Sequence, residues 1–216
     1  MGRFWVLCGL VVLFVSLSGA SEHTFNQYED SLVSVKEADE SLMKGSGFVY
    51  GPEEYIITNN HVAVSENGSE QDLEVRFNRS GEWIEVKTIG RDPETDLAVL
   101  EPDSIPEDVE SLQISNSTLE LGQNLTVVGN NPAVSRPIFV SGTVIDLSEN
   151  ITTKENVTLD DSVVISAAIE LGFSGGPTID SEGQVVGVTT ARDTTEDIGF
   201  IIPASKLKSI LPVLTN

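Results

Sequence analysis

The chain has 216 residues, of which 39% are hydrophobic and 21% are charged, so its composition is that of a globular protein and not of a disordered one. Lys and Arg number 12 against 34 Asp and Glu, and the formal charge of −22 makes nucleic acids and anionic membrane surfaces poor partners. With one Cys and two His, the sequence has too few ligands for a zinc or iron–sulfur site, and we expect no metal and no cofactor.

Residues 1–20 are predicted to form a secretory signal peptide. Arg3 is the only charged residue, an apolar run follows from Phe4 to Val15, and Ser18-Gly19-Ala20 supplies the small residues that signal peptidase prefers. The alternative is an uncleaved anchor, because the apolar run is only slightly short of a membrane span of about 18 residues. We therefore expect a secreted, extracellular protein, which contacts a membrane only if this segment is retained.

Six Asn-x-Ser/Thr sequons, more than chance predicts, support export and identify a glycoprotein candidate. The candidate glycosylation sites are Asn67, Asn78, Asn116, Asn124, Asn150 and Asn156. The alternative is a Ser/Thr-rich β protein in which the matches are accidental.

The excess of acidic residues is typical of a protein from a halophile. At low salt a charge of −22 repels itself and opposes compaction, whereas at molar salt the Debye length falls to about 3 Å and screens this repulsion. The alternative is an acid-rich mesophilic protein without such an adaptation.

Short runs rich in Val, Ile, Thr and aromatic residues, bounded by Gly, Pro, Asn or Asp, predict strands along most of the chain. The first set lies near residues 31–36, 43–50, 54–58, 72–77, 82–90 and 96–101. The second set lies near residues 123–130, 137–146, 162–168, 176–180, 184–191 and 197–202. Strands at this spacing with few helices indicate an all-β pair of barrels or sandwiches.

The segment 102–122 has Pro102, Pro106 and Gly122 but no strong hydrophobic period, and it predicts a connection between two domains. We place the domains at residues 21–115 and 116–216. The single helix that the sequence predicts starts at Pro203, a residue suited to a first helical turn. Its apolar face consists of Leu207, Ile210 and Leu211.

Three residues that are far apart in the chain are candidates for nucleophilic catalysis. Ser174 lies in the Gly-rich segment Gly172-Phe173-Ser174-Gly175-Gly176-Pro177, where a tight turn can direct several N–H groups at one point, as an oxyanion hole requires. His61 follows the apolar strand 55–58. Asp96 begins another apolar strand, where an ionised carboxylate needs a partner.

Taken singly, each candidate also has a structural explanation: a hairpin turn for the serine, a structural histidine at a strand end, and a turn residue at a strand start. The order His, Asp, Ser along the chain is the order of chymotrypsin-type enzymes, and it differs from that of subtilisins and α/β-hydrolases.

The sequence resembles the trypsin-like protease domain of the HtrA/Deg family over about residues 31–212. The matching segments are Gly45-Ser46-Gly47-Phe48-Val49, Ile57-Thr58-Asn59-Asn60-His61-Val62, Asp92-Pro93-Glu94-Thr95-Asp96-Leu97-Ala98-Val99-Leu100, Leu121-Gly122-Gln123, Val128-Gly129-Asn130, Ala167-Ala168-Ile169, Gly172-Phe173-Ser174-Gly175-Gly176-Pro177, Gly183-Gln184-Val185-Val186-Gly187-Val188 and Gly199-Phe200-Ile201-Ile202-Pro203.

The resemblance implies a chymotrypsin-like fold: two six-stranded antiparallel β-barrels with a short C-terminal helix and the active site between the barrels. It implies that Ser174 is the nucleophile, that His61 is the general base, and that Asp96 orients the histidine. The backbone N–H groups of Gly172 and Ser174 would form the oxyanion hole.

For the substrate, the resemblance implies unfolded or damaged polypeptides that pair with strand 188–191. The specificity pocket is expected among residues 168–173, 188–191 and 199–201, with an apolar lining that suits a small or medium apolar side chain. The candidate substrate-binding residues are Phe173, Val188, Thr189, Thr190 and Ala191.

The sequence departs from the family pattern at three places. Phe173 precedes the candidate nucleophile where the family usually has Asn, the loop 130–134 lacks the usual Pro-Phe-Gly, and we expect no PDZ domain after the terminal helix. Trimerisation through Phe25 and Tyr28 is left open, as is the oligomeric state in general.

The leading interpretation is a secreted serine endopeptidase. The alternatives are a catalytically weak protease-fold binding or chaperone module at the cell surface, and a carbohydrate-binding β domain, which explains the sequons but not the ordered triad.

Overall fold

The computed structural model describes residues 28–216 apart from 66, 78–80, 108, 133–136, 153–157, 194 and 196. The predicted signal peptide, Phe25 and the sequons at Asn78 and Asn156 therefore lie outside the described residues. Neither of the two helices named below has the length and apolar character that a membrane crossing requires, and this holds for the whole described part of the chain.

The first half of the chain forms a closed, antiparallel barrel of six strands. They are β1 (Leu32–Glu37), β2 (Gly45–Tyr50), β3 (Tyr55–Thr58), β4 (Leu73–Phe77), β5 (Ile84–Asp92) and β6 (Leu97–Pro102), in the spatial order β1-β2-β3-β6-β5-β4. In β4 buried and partly exposed residues alternate, so that one face of the strand points into the barrel. The barrel interior is filled by Val35, Val49, Ile56, Val75 and Leu100, among others.

The second half of the chain repeats this architecture. Its strands are β7 (Asn124–Asn130), β8 (Pro137–Thr152), β9 (Thr158–Ser166), β10 (Pro177–Ile179), β11 (Val185–Asp193) and β12 (Ile198–Pro203), in the closed order β10-β11-β12-β9-β8-β7. Its interior includes Val127, Val144, Ile165, Phe173 and Ile201.

The segment between the barrels passes directly from one to the other. The Leu112 N–H donates to the Val49 carbonyl of β2 at 2.9 Å, and the Ser115 N–H donates to the Val185 carbonyl of β11 at 2.9 Å. The boundary that we predict after residue 115 lies within this segment. A further apolar cluster joins side chains of both barrels, among them Phe48, Val128 and Val188, with the terminal helix, so the two barrels are packed into one body.

The terminal helix α2 (Ala204–Leu214) packs with Leu207, Leu211 and Leu214 buried, and Pro203 precedes its first turn. A second, short helix that the sequence analysis did not predict, α1 (Asn60–Ala63), follows β3 and contains His61. The prediction of two six-stranded antiparallel barrels with a C-terminal helix is confirmed. Tyr28 is buried in the core of its own chain, and trimerisation through Phe25 and Tyr28 stays a prediction.

The β8–β9 hairpin is longer than predicted. β8 continues to Thr152, and β9 starts at Thr158. Residues 145–150 of β8 are exposed, so the hairpin projects from the barrel core. Residues 145–150 lack the apolar alternation from which strands are predicted because they are exposed, whereas Ile151 and Leu159, which pair across the hairpin, are buried.

Candidate active site

The side chains of His61 and Asp96 are hydrogen-bonded to each other at the edge of the first barrel. His61 Nδ1 lies 2.8 Å from Asp96 Oδ2, and the backbone N–H of His61 donates to Asp96 Oδ1 at 2.9 Å. The Asp96 side chain is 5% exposed and the His61 side chain is 26% exposed. The carboxylate is therefore shielded from water while the imidazole keeps one face open to the solvent.

The position of Asp96 is fixed by its backbone as well as by its side chain. Asp96 has a left-handed conformation, with φ of 54°, which Asp and Asn tolerate better than other side chains. Its carbonyl accepts the Asn60 N–H at 3.1 Å and the side-chain amide of Asn59 at 2.9 Å. These two residues flank the start of α1, so the helix that presents the imidazole also holds the backbone of the carboxylate residue.

Ser174 lies on a tight turn between β9 and β10 of the second barrel. Two glycines in this turn, Gly172 and Gly175, have φ of 93° and 85°. A Cβ at Gly175 would lie 2.2 Å from the Ser46 carbonyl oxygen and 2.3 Å from Thr58 Oγ1, so no larger residue fits without moving β2 or β3. The Gly-rich sequence is therefore required by both the conformation of the turn and its contact with the first barrel.

Ser46 on β2 connects the first barrel to this turn. Its N–H donates to the Ser174 carbonyl at 2.8 Å, and its hydroxyl donates to the Gly172 carbonyl at 2.6 Å. The same hydroxyl oxygen accepts the Asn130 N–H at 2.8 Å. Strand β2 pairs with β3, the strand that precedes His61. Through Ser46, β2 therefore also fixes the segment that carries Ser174.

Thr190 on β11 connects Ser174 with Asp96. Its carbonyl accepts the Ser174 hydroxyl at 3.3 Å, while its own hydroxyl donates to Asp96 Oδ2 at 2.6 Å. The pairing of β11 with β12 shifts register between Thr189 and Ala191. Such an irregularity re-aims a side chain out of the regular alternation, which here directs the Thr190 hydroxyl toward the first barrel.

The backbone N–H groups around Ser174 differ in whether they have a hydrogen-bond acceptor. The Gly175 N–H donates to the Thr189 carbonyl at 2.8 Å and the Gly176 N–H to the Phe173 carbonyl at 2.9 Å. Within the described part of the chain, the N–H groups of Gly172 and Ser174 have no such acceptor. An oxyanion hole needs donors of this kind, which have no acceptor within the protein.

His61 and Ser174 line one cleft of about 750 Å³ between the barrels. The other lining residues are Lys44, Glu149, Asn150, Ile151, Thr152, Ile169, Glu170, Leu171, Gly172, Thr189, Thr190, Ala191, Arg192, Asp193 and Phe200. Five of these carry charge, so the lining is mixed where the sequence analysis expected an apolar pocket.

Of the predicted substrate-binding residues, Thr189, Thr190 and Ala191 line the cleft. Phe173 and Val188 do not, because both side chains are completely buried in the apolar interior. The Phe173 ring packs against Gly129 inside the second barrel and does not narrow the cleft.

Sequence reasoning missed three contributors to the cleft. The sequence does not indicate that Ser46 holds the turn that carries Ser174, nor that the Thr190 hydroxyl is a partner of Asp96. Residues 149–152 reach the cleft only because the β8–β9 hairpin is longer than predicted. No local pattern identifies these residues, since their contacts join segments that are distant in the chain.

Four candidate glycosylation sites lie within the described ranges, and all four side chains are exposed: Asn67, Asn116, Asn124 and Asn150. Asn150 lines the cleft, and its Oδ1 accepts the Asp161 N–H across the hairpin at 3.1 Å. In the same ranges, no three His, Cys, Asp or Glu side chains converge as a metal site would require.

The sequence model of the trypsin-like peptidase domain matches residues 45–188. Protease Do-like 8, chloroplastic, from Arabidopsis thaliana is 34% identical over 183 residues, which cover 79% of this chain and 41% of that protein. A probable periplasmic serine endoprotease DegP-like from Brucella suis is 31% identical over 183 residues, covering 80% of this chain and 33% of that protein. The chain thus spans well under half the length of these curated relatives.

The comparison with solved structures also finds a protease of the Deg type. The crystal structure of Deg5 superposes with a TM-score of 0.74 at 27% identity and covers 93% of this chain and 97% of that chain. Together these matches confirm the resemblance predicted from the sequence motifs.

Proposed function

The chain belongs to the family of trypsin-like peptidase domains, and on this premise we propose that it is a serine endopeptidase of the HtrA/Deg type that hydrolyses unfolded or damaged polypeptides. The observation that carries the proposal is the 2.8 Å contact of His61 with Asp96 in the cleft that also contains Ser174. Two curated relatives with this domain carry protease or serine endoprotease in their names.

In the proposed reaction, the Ser174 hydroxyl turns from the Thr190 carbonyl toward His61, whose imidazole accepts the proton as the oxygen attacks the scissile carbonyl carbon. The C–N bond then breaks, and the protonated His61 gives the proton to the leaving amine. Water then attacks the acyl carbon of the acyl-enzyme while His61 accepts the water proton. His61 returns this proton to Ser174 Oγ as the C–O bond of the acyl-enzyme breaks, which releases the carboxylic acid and restores Ser174.

Asp96 has two roles in this scheme. Its Oδ2 accepts the Nδ1–H of His61, so the imidazole has the tautomer whose Nε2 can take the serine proton. Its negative charge also stabilises the imidazolium that forms. The Thr190 hydroxyl and the His61 backbone N–H orient the carboxylate for both purposes.

The negative charge on the tetrahedral intermediate falls on the former carbonyl oxygen. We assign its stabilisation to the N–H groups of Gly172 and Ser174, which have no acceptor among the described residues. Loss of one such donor typically costs about 3–4 kcal/mol in the transition state.

The substrate backbone would bind along the edge formed by Thr190 and Ala191, where β11 extends beyond the residues that pair with β10. Both backbone groups of Thr189, in contrast, are bonded to Gly175 and Gly176. An extended peptide that adds to such an edge needs few sequence-specific contacts, and this mode of binding suits unfolded chains.

The alternative of a binding module with weak hydrolysis rests on Phe173 and on the altered loop 130–134. The burial of the Phe173 ring away from the cleft removes the first support, while residues 133 and 134 of the loop lie outside the described residues.

The relative from Brucella suis is described as periplasmic. Together with the predicted signal peptide and the six sequons, this supports the proposal that the protein acts outside the cell membrane. The intact mass of the protein from its native source provides the test. Removal of residues 1–20 and added glycan mass are the expected results, and a bare full-length mass would contradict both.

A fluorophosphonate probe tests the nucleophile. The wild-type protein should be labelled and should degrade denatured casein, whereas Ser174→Ala should do neither and should melt at the wild-type temperature. Ser181→Ala, which removes an exposed serine seven residues further along, is the matched control and should be labelled normally. Labelling of Ser174→Ala, or failure to label the folded wild-type protein, would refute the proposed function.

A further inference from the structure

Arg192 stands out in the cleft because it is a half-buried cation in a protein with 34 acidic residues. Its Nη1 donates to the Ile169 carbonyl at 2.8 Å. No carboxylate in the described ranges lies within ion-pair distance of its guanidinium. An arginine presents a planar set of donors that matches a carboxylate, and the single contact with Ile169 leaves most of this set without a described partner.

Arg192 lines the same cleft as Ser174 and His61. Arg192 is two residues beyond Thr190, whose carbonyl accepts the Ser174 hydroxyl, and two residues of extended strand span about 6.6 Å. Its contact with Ile169 reaches the segment that leads to the Ser174 turn. Arg192 thus connects two segments that line the same cleft as Ser174.

The acidic residues of the cleft lining are placed differently. Asp193 is exposed, and its Oδ1 accepts the N–H and the hydroxyl of Thr195 at 2.8 and 2.6 Å. Glu170 is exposed and accepts the side-chain amide of Asn131.

Glu149, the third acidic residue of the lining, is exposed as well, whereas Arg192 and Lys44 are both half-buried. Water screens exposed charges more strongly than half-buried ones, so these two cations act on a bound substrate more strongly than the carboxylates do. The Lys44 ammonium donates to the Val64 carbonyl of the first barrel, whereas the Arg192 guanidinium lies in the second barrel beside the segment that leads to Ser174.

We propose that Arg192 is a specificity-determining residue, and that the cleft binds an acidic side chain on the substrate residue that supplies the scissile carbonyl. This inference rests on the proposed function, because it assigns the substrate class of the same site. The substrate carboxylate would accept charge-assisted hydrogen bonds from the guanidinium, which stays anchored to the Ile169 carbonyl. This pairing replaces the apolar preference that was expected from the sequence.

The test uses fluorogenic peptides that differ only at this position, with Glu, Gln, Leu or Lys, at one fixed ionic strength. For wild-type protein we expect kcat/KM for Glu to exceed that for Gln by about 10- to 100-fold, the value of charge-assisted hydrogen bonds to a partly shielded carboxylate. Mass spectrometry of the products verifies the cleaved bond. A wild-type preference for Gln, Leu or Lys over Glu would overturn the proposal.

Three variants separate recognition from packing and from general charge. Arg192→Gln should reduce the Glu-to-Gln ratio to about one, and Arg192→Lys should keep part of it because the charge remains. Lys44→Gln removes another cation from the cleft lining and should leave the ratio as it is. An unchanged ratio in Arg192→Gln, or an equal fall in Lys44→Gln, would overturn the proposal. If Arg192→Gln does not fold, the Arg192→Lys variant and the wild-type ratio decide.

A binding measurement distinguishes failure of this inference from failure of the proposed function. Ser174→Ala protein is titrated with fluorescent peptides that end in Glu or in Gln. At least tenfold tighter binding of the Glu peptide, lost when Arg192→Gln is added, supports the acidic pocket even if no peptide is hydrolysed. Equal affinities overturn the inference and leave the labelling of Ser174 as the independent measure of catalysis.

Discussion

Replacement of Asp96 by Asn examines the proposed triad with little change in shape. Asn tolerates the left-handed conformation of residue 96, so the turn should keep its backbone. Asp96 Oδ1 faces the backbone N–H of His61 at 2.9 Å, and this donor cannot change its role. The amide oxygen must therefore take the Oδ1 position, which places the NH₂ group at the Oδ2 position.

The NH₂ group would then face two partners. The Thr190 hydroxyl, now 2.6 Å from Asp96 Oδ2, can rotate to accept a hydrogen bond. His61 Nδ1, at 2.8 Å, can accept only if the imidazole carries its proton on Nε2. That tautomer cannot take the proton of Ser174, so the variant should be held in an unproductive state.

The magnitude follows from what the productive tautomer would cost. It breaks the new hydrogen bond and leaves two N–H groups facing each other in a shielded site, a loss of about 3–5 kcal/mol. At about 1.36 kcal/mol per factor of ten, kcat/KM should fall about 10²- to 10⁴-fold. Folding should lose about 1–2 kcal/mol, which lowers the melting temperature by about 2–8 °C.

The assay compares kcat/KM on a fluorogenic peptide with the melting temperature of the same preparation. Asp92→Asn is the matched control, because the Asp92 carboxylate accepts only from Glu94 and Thr95 of its own turn among the described residues. It removes the same charge four residues away and should keep kcat/KM within about twofold. If Asp96→Asn retains activity within tenfold of the wild type, Asp96 does not set the tautomer of His61.

Three further outcomes are expected. Thr190→Val should lower kcat about tenfold with little change in KM, because the carboxylate of Asp96 loses a donor at 2.6 Å. Thr190→Ser should restore kcat because the hydroxyl returns. Steady-state kinetics of both variants provide the measurement, and a Ser variant as slow as the Val variant would contradict a role for the hydroxyl. Gly175→Ala should destabilise the fold by at least about 2 kcal/mol, since its Cβ would lie 2.2 Å from the Ser46 carbonyl at a φ of 85°; an unchanged denaturant midpoint would show that the turn can move. The melting temperature should rise steeply between low and molar salt, because a charge of −22 is then screened; a flat profile would remove the halophile hypothesis and leave the enzymatic one.

Much of the fold could be predicted because each strand carries its own local signal. The predicted strand near 72–77 corresponds to β4, where a buried face alternates with a partly exposed one. Residues 145–150 of the β8–β9 hairpin have no such signal, since their side chains are exposed on both faces. Helix α1 is too short, at four residues, to show a helical period.

The candidate site was predictable only in part for a related reason. His61, Asp96 and Ser174 were found because their chemistry and their order are informative together. Ser46, Thr190 and Arg192 act through contacts whose partners lie up to 126 residues away in the chain, and a hydroxyl or a guanidinium gives no indication of its partner in a single sequence.

The cleft depends on the packing of the two barrels against each other. Asp96 accepts a hydrogen bond from β11 of the second barrel, and the turn that carries Ser174 is held by β2 of the first. A rotation of one barrel relative to the other would therefore lengthen the Thr190–Asp96 and Ser46–Gly172 hydrogen bonds at the same time. Because one bond holds Asp96 and the other holds the turn that carries Ser174 to the opposite barrel, a change that loosens the barrel interface should reduce catalysis before it unfolds either barrel.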